Sequence, residues 1–276
     1  MTIDAVISRC FSFHHDGSGT LTLDPAFQGL PDTAHGGSVL AVFDAIAAPS
    51  GPREVAGTYR RRVPLGTRLA LRAWREDNRT RFELGDDHGA LVDGLVGPPA
   101  PLETPAVRLA GARHPLPVSH TCFACGTKNE IGLHLALEFD HQAVAGEYLP
   151  RELFRTPDGH VAPVVLTTLL DEAAFWLGAL RTGESGMTTE LRVTLHRLAP
   201  FGAPLFVSGL RAGVMPHEDD PRYWRTATAV HDEHGALLAS GRITFVAVRG
   251  AAKRLAAGIL AMNPPDVVAR VFPAYA

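Results

Sequence analysis

The chain has 276 residues, of which 46% are hydrophobic and 20% charged, and its formal net charge is −3. This balance indicates neither a basic nucleic-acid-binding surface nor a disordered chain, and the length suits two domains of ordinary size. No apolar run approaches a membrane span or a signal peptide, and three cysteines do not indicate a secreted disulfide framework, so we expect a cytoplasmic protein with no nucleic-acid or membrane partner.

In chain order, the first strong signal is an apolar helix followed by four strands. His35-Gly36-Gly37 precedes residues 38–47, a run too long and too rich in alanine for a strand, which indicates a buried helix. Alternating segments then predict strands over residues 55–63, 68–76, 80–84 and 90–96. The proline-rich residues 97–117 indicate an extended linker.

The second half repeats this order of elements. Residues 164–180 predict a helix with Pro163 in its first turn, where a missing N–H is tolerated. Strands are predicted over residues 189–197, 204–212, 223–231 and 236–246. Residues 251–262 look helical, Pro264-Pro265 interrupts them, and residues 266–271 predict one more short helix.

Individual residues also recur between the halves. The segment at 86–92 (DDHGALV) returns 146 positions later at 232–238 (DEHGALL), and Asp44 returns 127 positions later as Asp171. Five residues return 136 positions later: Glu54, Thr58, Arg61, Pro64 and Gly66 become Glu190, Thr194, Arg197, Pro200 and Gly202. A growing offset is expected of a duplicated unit whose second copy has longer surface loops. Each unit, one buried helix followed by four antiparallel strands, predicts an α+β layer in which a sheet wraps around the helix.

The motifs around the predicted helices resemble the hotdog-fold acyl-CoA thioesterases of the 4-hydroxybenzoyl-CoA and phenylacetyl-CoA thioesterase type. In that family a loop ends in His-Gly-Gly and an acidic residue lies nine positions after the His, as Asp44 does after His35. In the second copy the resemblance lies in Cys122-Phe123-Ala124-Cys125-Gly126, Asn129, Ile131-Gly132-Leu133 and the helix segment Leu169-Leu170-Asp171-Glu172-Ala173. The second copy departs from the family at its helix start, which reads Ala162-Pro163-Val164.

The resemblance implies a double hotdog. Its N-terminal hotdog domain covers residues 1–97, a linker covers 98–118, the C-terminal hotdog domain covers 119–250, and a tail covers 251–276. Because the fused pair already supplies the usual hotdog dimer, we expect a monomeric pseudo-dimer or a homodimer of it.

In the family the active site lies between two units, with hydrogen-bond donors from one and the carboxylate from the other. Carried onto this chain, the resemblance implies a first site built from the loop of one copy and the acidic pair and following strand of the other. Its members are His35, Gly36, Gly37, Asp171, Glu172 and Thr188 or Thr189. A second site would combine Asp44 with Pro163, which has no N–H, so we expect it to be weakened or inactive.

Thioester hydrolysis needs a general base or nucleophile, and donors where charge develops on the carbonyl oxygen. We therefore expect Asp171 to act, the amides of Gly36 and Gly37 to bind the oxyanion, and His35 to shape the loop. A threonine of the following strand would position water.

Several of these residues also have a purely structural interpretation. The glycine pair can be a tight turn before a helix, and Asp171-Glu172 an exposed helix face, although the apolar residues around that pair favour a buried one. For Asp44 the favoured interpretation is structural, as a cap or as an ion pair with an arginine such as Arg61. Arg61 and Arg197 could bind the phosphates of coenzyme A, but their recurrence favours a shared structural role.

Cys122 and Cys125 are flanked by His120 and His134, which suggests a zinc site. The spacing does not match a standard zinc finger, and the resemblance implies no metal, so we favour ordinary buried or turn cysteines. We expect no cofactor apart from the coenzyme A of the substrate.

The favoured function is hydrolysis of an acyl-CoA or another acyl thioester, a small-molecule substrate. One alternative is a non-catalytic acyl-binding or ligand-binding hotdog protein. Another is a hotdog hydratase or dehydratase, although the longer motif of such enzymes is missing here. A serine hydrolase has no support, because the chain contains no Gly-x-Ser-x-Gly.

Overall fold

The computed structural model describes residues 1–100, 106–258 and 260–274. Its helices are α1 (Ile3–Cys10), α2 (Gly36–Ala47), α3 (Pro163–Thr182), α4 (Ala251–Ala257) and α5 (Pro265–Val271). The strands of the first half are β1 (Phe11–Phe13), β2 (Ser18–Leu21), β3 (Arg53–Tyr59), β4 (Leu69–Glu76), β5 (Arg79–Asp86) and β6 (Gly89–Gly97). Those of the second half are β7 (His114–Pro115), β8 (Glu138–Phe139), β9 (Ala143–Tyr148), β10 (Gly186–Leu195), β11 (Leu205–Leu210), β12 (Met215–Pro216), β13 (Tyr223–His231) and β14 (Leu237–Ala247). The predicted α+β class is confirmed.

Within the described residues, the strands form one antiparallel sheet in the order β1-β2-β4-β5-β6-β3-β10-β14-β13-β11-β9-β8-β7, with β12 beside β13. Helix α2 packs on β6 and β3, and α3 packs on β14, β13 and β10. The two helices also pack against each other, so the core continues from one half into the other.

Burial explains why α2 and α3 form where they do. Residues 37–44 of α2 are all buried, as is most of α3, which is what the unbroken apolar runs predict. Pro163 occupies the first turn of α3, and Gly183 ends that helix at φ 65°, a left-handed conformation that glycine adopts readily.

The halves meet where β3 pairs with β10 in the middle of the sheet. Glu54 lies opposite Thr194, and Thr58 lies opposite Glu190. Glu54 thus faces the residue equivalent to Thr58, and Thr58 faces the residue equivalent to Glu54. A two-fold axis between the strands would produce this register. That axis passes through the pair formed by Ala56 and Arg192.

The loops that lead into α2 and α3 are built alike. The His35 amide donates to the Phe27 carbonyl, and the Ala162 amide donates to the Phe154 carbonyl, both at 2.8 Å. Phe27 and Phe154 each end a single turn of 3-10 helix and are fully buried. Each helix start is therefore anchored on a buried phenylalanine of its own half.

Helix α3 has the length and hydropathy of a membrane-spanning segment, which the sequence analysis did not anticipate. Over the 18 most apolar residues of Pro163–Thr182, 83% are buried inside the fold. This apolar surface is used in core packing.

The segment after residue 250 folds back onto the domain. Helix α4 ends at Ala257, five residues earlier than predicted, because the backbone turns at Gly258. The Asn263 side chain then exchanges two hydrogen bonds with the backbone of Val118, at 2.9 and 2.7 Å. Residues 101–105 of the predicted linker lie outside the described residues.

Candidate active site

A cavity of about 880 Å³ lies between the start of α2, the middle of α3 and the strand β10. His35 and Gly36 line it from the first half, and Asp171 and Glu172 line it from the second. The residues that the sequence analysis assigned to a first site are thus brought together, although the two groups lie more than 130 positions apart.

Asp171 is held by three groups. Its Oδ1 accepts a hydrogen bond from Thr188 Oγ1 at 2.7 Å, and its Oδ2 accepts one from the Gly37 amide at 3.2 Å. The same Oδ2 lies 3.3 Å from His35 Nδ1. The residue is 6% exposed, so the alternative of an exposed acidic helix face is wrong.

Glu172 is also buried and has two partners. Trp176 Nε1, one helical turn further along α3, donates to its Oε1 at 2.9 Å. Its Oε2 lies 3.5 Å from His35 Nε2. The sequence analysis did not identify Trp176, although the four-residue spacing on one helix face would have pointed to this contact.

His35 lies between the two carboxylates and carries a positive charge at neutral pH. Burial opposes that charge, but the hydrogen bond with Glu172 and the nearby Asp171 outweigh it and raise the pKa of His35 to about 9. The Gly37 amide lies 3.2 Å from both His35 Nδ1 and Asp171 Oδ2. Because a protonated imidazole cannot accept a hydrogen bond, the amide donates to the carboxylate.

The pKa of Asp171 is raised by burial, while the charge of His35 and the hydroxyl of Thr188 partly counteract that rise. Tyr59 lies next to this carboxylate and donates its hydroxyl hydrogen to the Gly36 carbonyl at 2.7 Å. Burial and the proximity of Asp171 hold the pKa of Tyr59 well above its ordinary value, so this hydroxyl stays protonated. Tyr59 was not identified from the sequence.

The two glycines have different roles. Since the Gly37 amide donates to Asp171, it is not available as the oxyanion donor that the sequence analysis expected. The Gly36 amide begins α2 at the cavity wall and has no hydrogen-bond acceptor among the described residues. A Cβ on Gly37 would lie 2.7 Å from the backbone of Thr167 and Thr168, so this glycine allows α2 and α3 to approach closely.

A bulge in β10 separates the two candidate threonines. The pairing with β14 shifts between Thr188 and Glu190, so Thr189 is the extra residue. Thr188 faces Asp171, whereas Thr189 donates to the Thr244 carbonyl at 3.1 Å. Of the two threonines, Thr188 is therefore the one that contacts Asp171.

Asp44 forms an ion pair, as favoured, but its partner is Arg53 and not Arg61. The Arg53 guanidinium donates to both carboxylate oxygens, at 2.5 and 2.7 Å, and both side chains are buried. Arg53 opens the strand that directly follows α2, which brings it next to the end of that helix. Such a bidentate buried pair is a structural role for Asp44.

Arg61 instead holds the turn between β5 and β6. Its guanidinium bonds both oxygens of Asp86, at 3.1 and 2.6 Å, while its side chain reaches the cavity rim. The cavity lining does not include Arg197. Of the two predicted coenzyme A contacts, only Arg61 is placed where it could meet a ligand in this cavity.

The helix start of the second half lacks the groups found in the first. Ala162 occupies the N-cap position of α3 with no side-chain cap, and Pro163 follows it. At the corresponding positions of α2 stand His35 and Gly36. This loop offers neither an imidazole nor an N–H at Pro163.

Cys122 lies on the cavity wall, next to His35 and Glu172. A hydrogen bond from Cys125 lowers the pKa of the Cys122 thiol, and the same contact raises that of Cys125. The histidines considered as zinc ligands point elsewhere: His120 contacts Thr127, and His134 contacts the Asn129 carbonyl.

No protein-family model matches the chain, and no match is found among curated proteins. Among solved structures, the acyl-CoA thioesterase II TesB2 from Mycobacterium marinum is similar, with a TM-score of 0.56 and 9% identity over 90% of this chain and 98% of that one. A hotdog-fold protein of unknown function from Alicyclobacillus acidocaldarius gives a TM-score of 0.59 and 11% identity over 89% and 97% of the two chains. The dehydratase domain of RzxB from Pseudomonas fluorescens gives a TM-score of 0.55 and 14% identity over 85% of this chain and 96% of that one.

At these identities the similarity establishes the fold. The chain has a hotdog fold, as the resemblance around His35 and Cys122 predicted, and it shares that fold with thioesterases and with dehydratases.

Proposed function

We propose that this protein is a double-hotdog thioesterase that hydrolyses an acyl thioester, with Asp171 as the general base or nucleophile. The observation that carries the proposal is the setting of that carboxylate. It is buried in the cavity wall, fixed by Thr188 and Gly37, and close to Gly36 on the opposing helix.

Each group has a place in the chemistry. Asp171 takes a proton from water as the water oxygen attacks the thioester carbonyl, and the sulfur leaves as a thiol after it takes up a proton. The Gly36 N–H, at the positive end of α2, stabilises the charge that develops on the carbonyl oxygen. Burial makes the Asp171 carboxylate more basic than an exposed one, while His35 and Thr188 limit that rise in its pKa.

Coenzyme A is the carrier that the cavity rim favours. Arg60, Arg61 and Arg62 follow one another along this rim. Arg60 and Arg61 are paired with Asp93 and Asp86, whereas Arg62 has no carboxylate partner among the described residues. An unpaired guanidinium beside two others suits a phosphate group. Arg62 is therefore a candidate contact for the phosphates of coenzyme A, together with Arg61.

The tandem arrangement is supported by the two-fold register of β3 and β10 and by the matching loops before α2 and α3. Only the loop before α2 carries the His-Gly-Gly sequence. We therefore propose one working site for each chain, with the second site inactive.

The test is release of free thiol from a panel of short, long and aromatic acyl-CoAs. We expect turnover by the wild type and a loss of about 100-fold or more in Asp171→Asn, because that variant keeps the shape but not the base. Asp219→Asn is the matched control, since Asp219 lies on the same cavity but is exposed. Wild-type protein that releases no thiol, or full activity of Asp171→Asn, would contradict the proposal.

One contact favours a dehydratase as the second candidate. His35 and Asp171 lie 3.3 Å apart on opposing helices. Such a pair could remove a proton from the carbon next to the thioester carbonyl and donate one to a departing 3-hydroxyl group. A 3-hydroxyacyl thioester distinguishes hydrolysis from dehydration. Dehydration yields a conjugated enoyl thioester with its thioester bond intact, whereas hydrolysis releases the free thiol. A ligand that binds with no product of either kind would indicate an acyl-binding protein.

A further inference from the structure

Three side chains of different donor chemistry converge at the inner end of the cavity. One nitrogen of His35, the sulfur of Cys122 and a carboxylate oxygen of Glu172 all lie within 4.8 Å of one another. All three residues are buried, with exposures of 6%, 4% and 6%. The thioester chemistry proposed above uses neither Cys122 nor Glu172 directly.

The spacing of these atoms also suits a shared ion. His35 Nε2 and Glu172 Oε2 are 3.5 Å apart, at the long limit for a hydrogen bond between charged groups. Two ligands that each lie about 2.0 Å from a tetrahedral zinc ion are about 3.3 Å from each other.

Outer contacts orient the His and Glu ligands. Asp171 lies at the other nitrogen of His35, at 3.3 Å, and Trp176 Nε1 bonds the other oxygen of Glu172 at 2.9 Å. A carboxylate behind a ligating histidine and a donor behind a ligating carboxylate are regular features of protein metal sites.

Backbone contacts hold Cys122 against this cluster. The Cys122 amide donates to Ser119 Oγ at 2.9 Å, and the next amide, that of Phe123, donates to the Gln28 carbonyl of the first half at 2.6 Å. A Cβ on Gly126 would lie 2.1 Å from the Cys122 carbonyl oxygen, so the turn that presents the thiol requires a glycine. Cys122 thus reaches His35 through a well-defined loop.

We propose that His35, Cys122 and Glu172 form a zinc site on the cavity wall. Imidazole, thiolate and carboxylate together are a donor set that zinc accepts, and three protein ligands leave a coordination position for water or substrate. When bound, the ion would act as a Lewis acid toward a carbonyl oxygen in the cavity. This ligand set shares only Cys122 with the zinc site considered from the sequence, because His35 and Glu172 replace Cys125, His120 and His134.

The experiment measures metal binding in the absence of substrate. The metal content of protein purified without chelators is determined by elemental mass spectrometry. Metal-free protein is then titrated with Co²⁺, which reports a bound thiolate through a sulfur-to-cobalt absorption band. We expect one ion per chain and that band in the wild type, loss of the band in Cys122→Ser, and weakening of about 10-fold or more in Glu172→Gln. Cys10→Ser is the matched thiol control, because Cys10 is buried in α1 and bonds the Val6 carbonyl.

Several outcomes would overturn the site. These are folded wild-type protein that binds neither Zn²⁺ nor Co²⁺, and a thiolate band that survives Cys122→Ser. Binding that needs Cys122 and Cys125 but tolerates Glu172→Gln and His35→Asn indicates a dithiolate site and also overturns the assigned donors. Circular dichroism verifies that each variant folds. If Cys122→Ser does not fold, the site is tested by the other two variants: the absorption band should persist in Cys10→Ser, and Co²⁺ binding should weaken in Glu172→Gln. Because no turnover is measured, failure here is distinguishable from failure of the thioesterase proposal.

Discussion

At the scale of single residues, the site is a buried cluster of three ionisable side chains. The imidazole of His35 faces the carboxyl groups of Asp171 and Glu172, and each carboxyl group has a further neutral donor, Thr188 or Trp176. Removing one charge from such a cluster leaves the others uncompensated in a poorly solvated place. Function and stability are therefore coupled through His35.

Stability should depend on pH through His35. Its pKa is about 9 in the folded protein against an ordinary 6.5, so its stabilisation is complete below pH 6.5 and is lost as the pH rises toward 9. The loss is on the order of 3 kcal/mol. We expect urea unfolding of metal-free wild type to show this fall between pH 6.5 and 9.5, and His35→Asn to show much less of it. An equal fall in the free energy of unfolding of wild type and His35→Asn would contradict the role of His35, because the fall would then come from groups that both proteins share.

At the scale of elements, the bulge in β10 decides which threonine reaches the carboxylate. A regular strand alternates its side chains between the two faces, and one extra residue changes that alternation. Thr188 thereby faces α3, and Thr189 bonds within the sheet.

Thr188→Val should lower the rate of thiol release by about 10-fold or more, because a valine of similar shape cannot donate to Asp171. Thr189→Val should change the rate far less, since it loses only a bond to the Thr244 carbonyl. Steady-state kinetics of both variants on one acyl-CoA provide the comparison. The assignment fails if the two variants are equally impaired.

The elements predicted from the sequence are those with a long periodic or apolar signal. The helices α2 and α3 and eight strands lie within a few residues of their predicted positions. Helix α1 and the short strands β1, β2, β7, β8, β9 and β12 were missed, because elements of two to eight residues carry little periodicity.

The part of the site that could be predicted from the sequence is the part that the family resemblance covers. The motif around His35 and the acidic pair on α3 led to contacts that the structure contains. The contact between Cys122 and His35 was not foreseen, because it depends on a loop of one half docking on the Gln28 carbonyl of the other. No local pattern encodes such docking. The partner suggested for Asp44, Arg61, was wrong, because the sequence does not show that the first residue of β3, Arg53, returns to the end of α2.

At the scale of the whole molecule, the C-terminal tail is part of the cavity wall. Leu255 and Leu260 line the cavity, and the Phe272 ring lies 6.3 Å from that of Trp176. Asn263 fastens this segment to Val118, in front of the loop that carries Cys122. The tail therefore contributes side chains to the cavity wall and is attached to the segment before Cys122.

Asn263→Ala should loosen this wall. It removes two hydrogen bonds to the Val118 backbone, which should lower the free energy of unfolding by about 1–3 kcal/mol. We expect KM to rise more for long acyl-CoAs than for short ones, because a longer acyl group has more apolar surface to pack against a wall that includes Leu255 and Leu260. Asn78→Ala, in the exposed turn between β4 and β5, is the control. A KM that is unchanged at every chain length would contradict this role of the tail.

The pairing of β3 with β10 also has a consequence during synthesis. Until residue 195 has been made, β3 is paired on one side only, with β6, and its other edge is open. At about 5–20 residues per second, the 136 residues between the ends of these two strands take roughly 7–27 s to translate. An open strand edge can pair with the same edge of another nascent chain. Slow translation of the second half should therefore favour aggregation, and this protein should depend on chaperones that bind the first half before the second emerges.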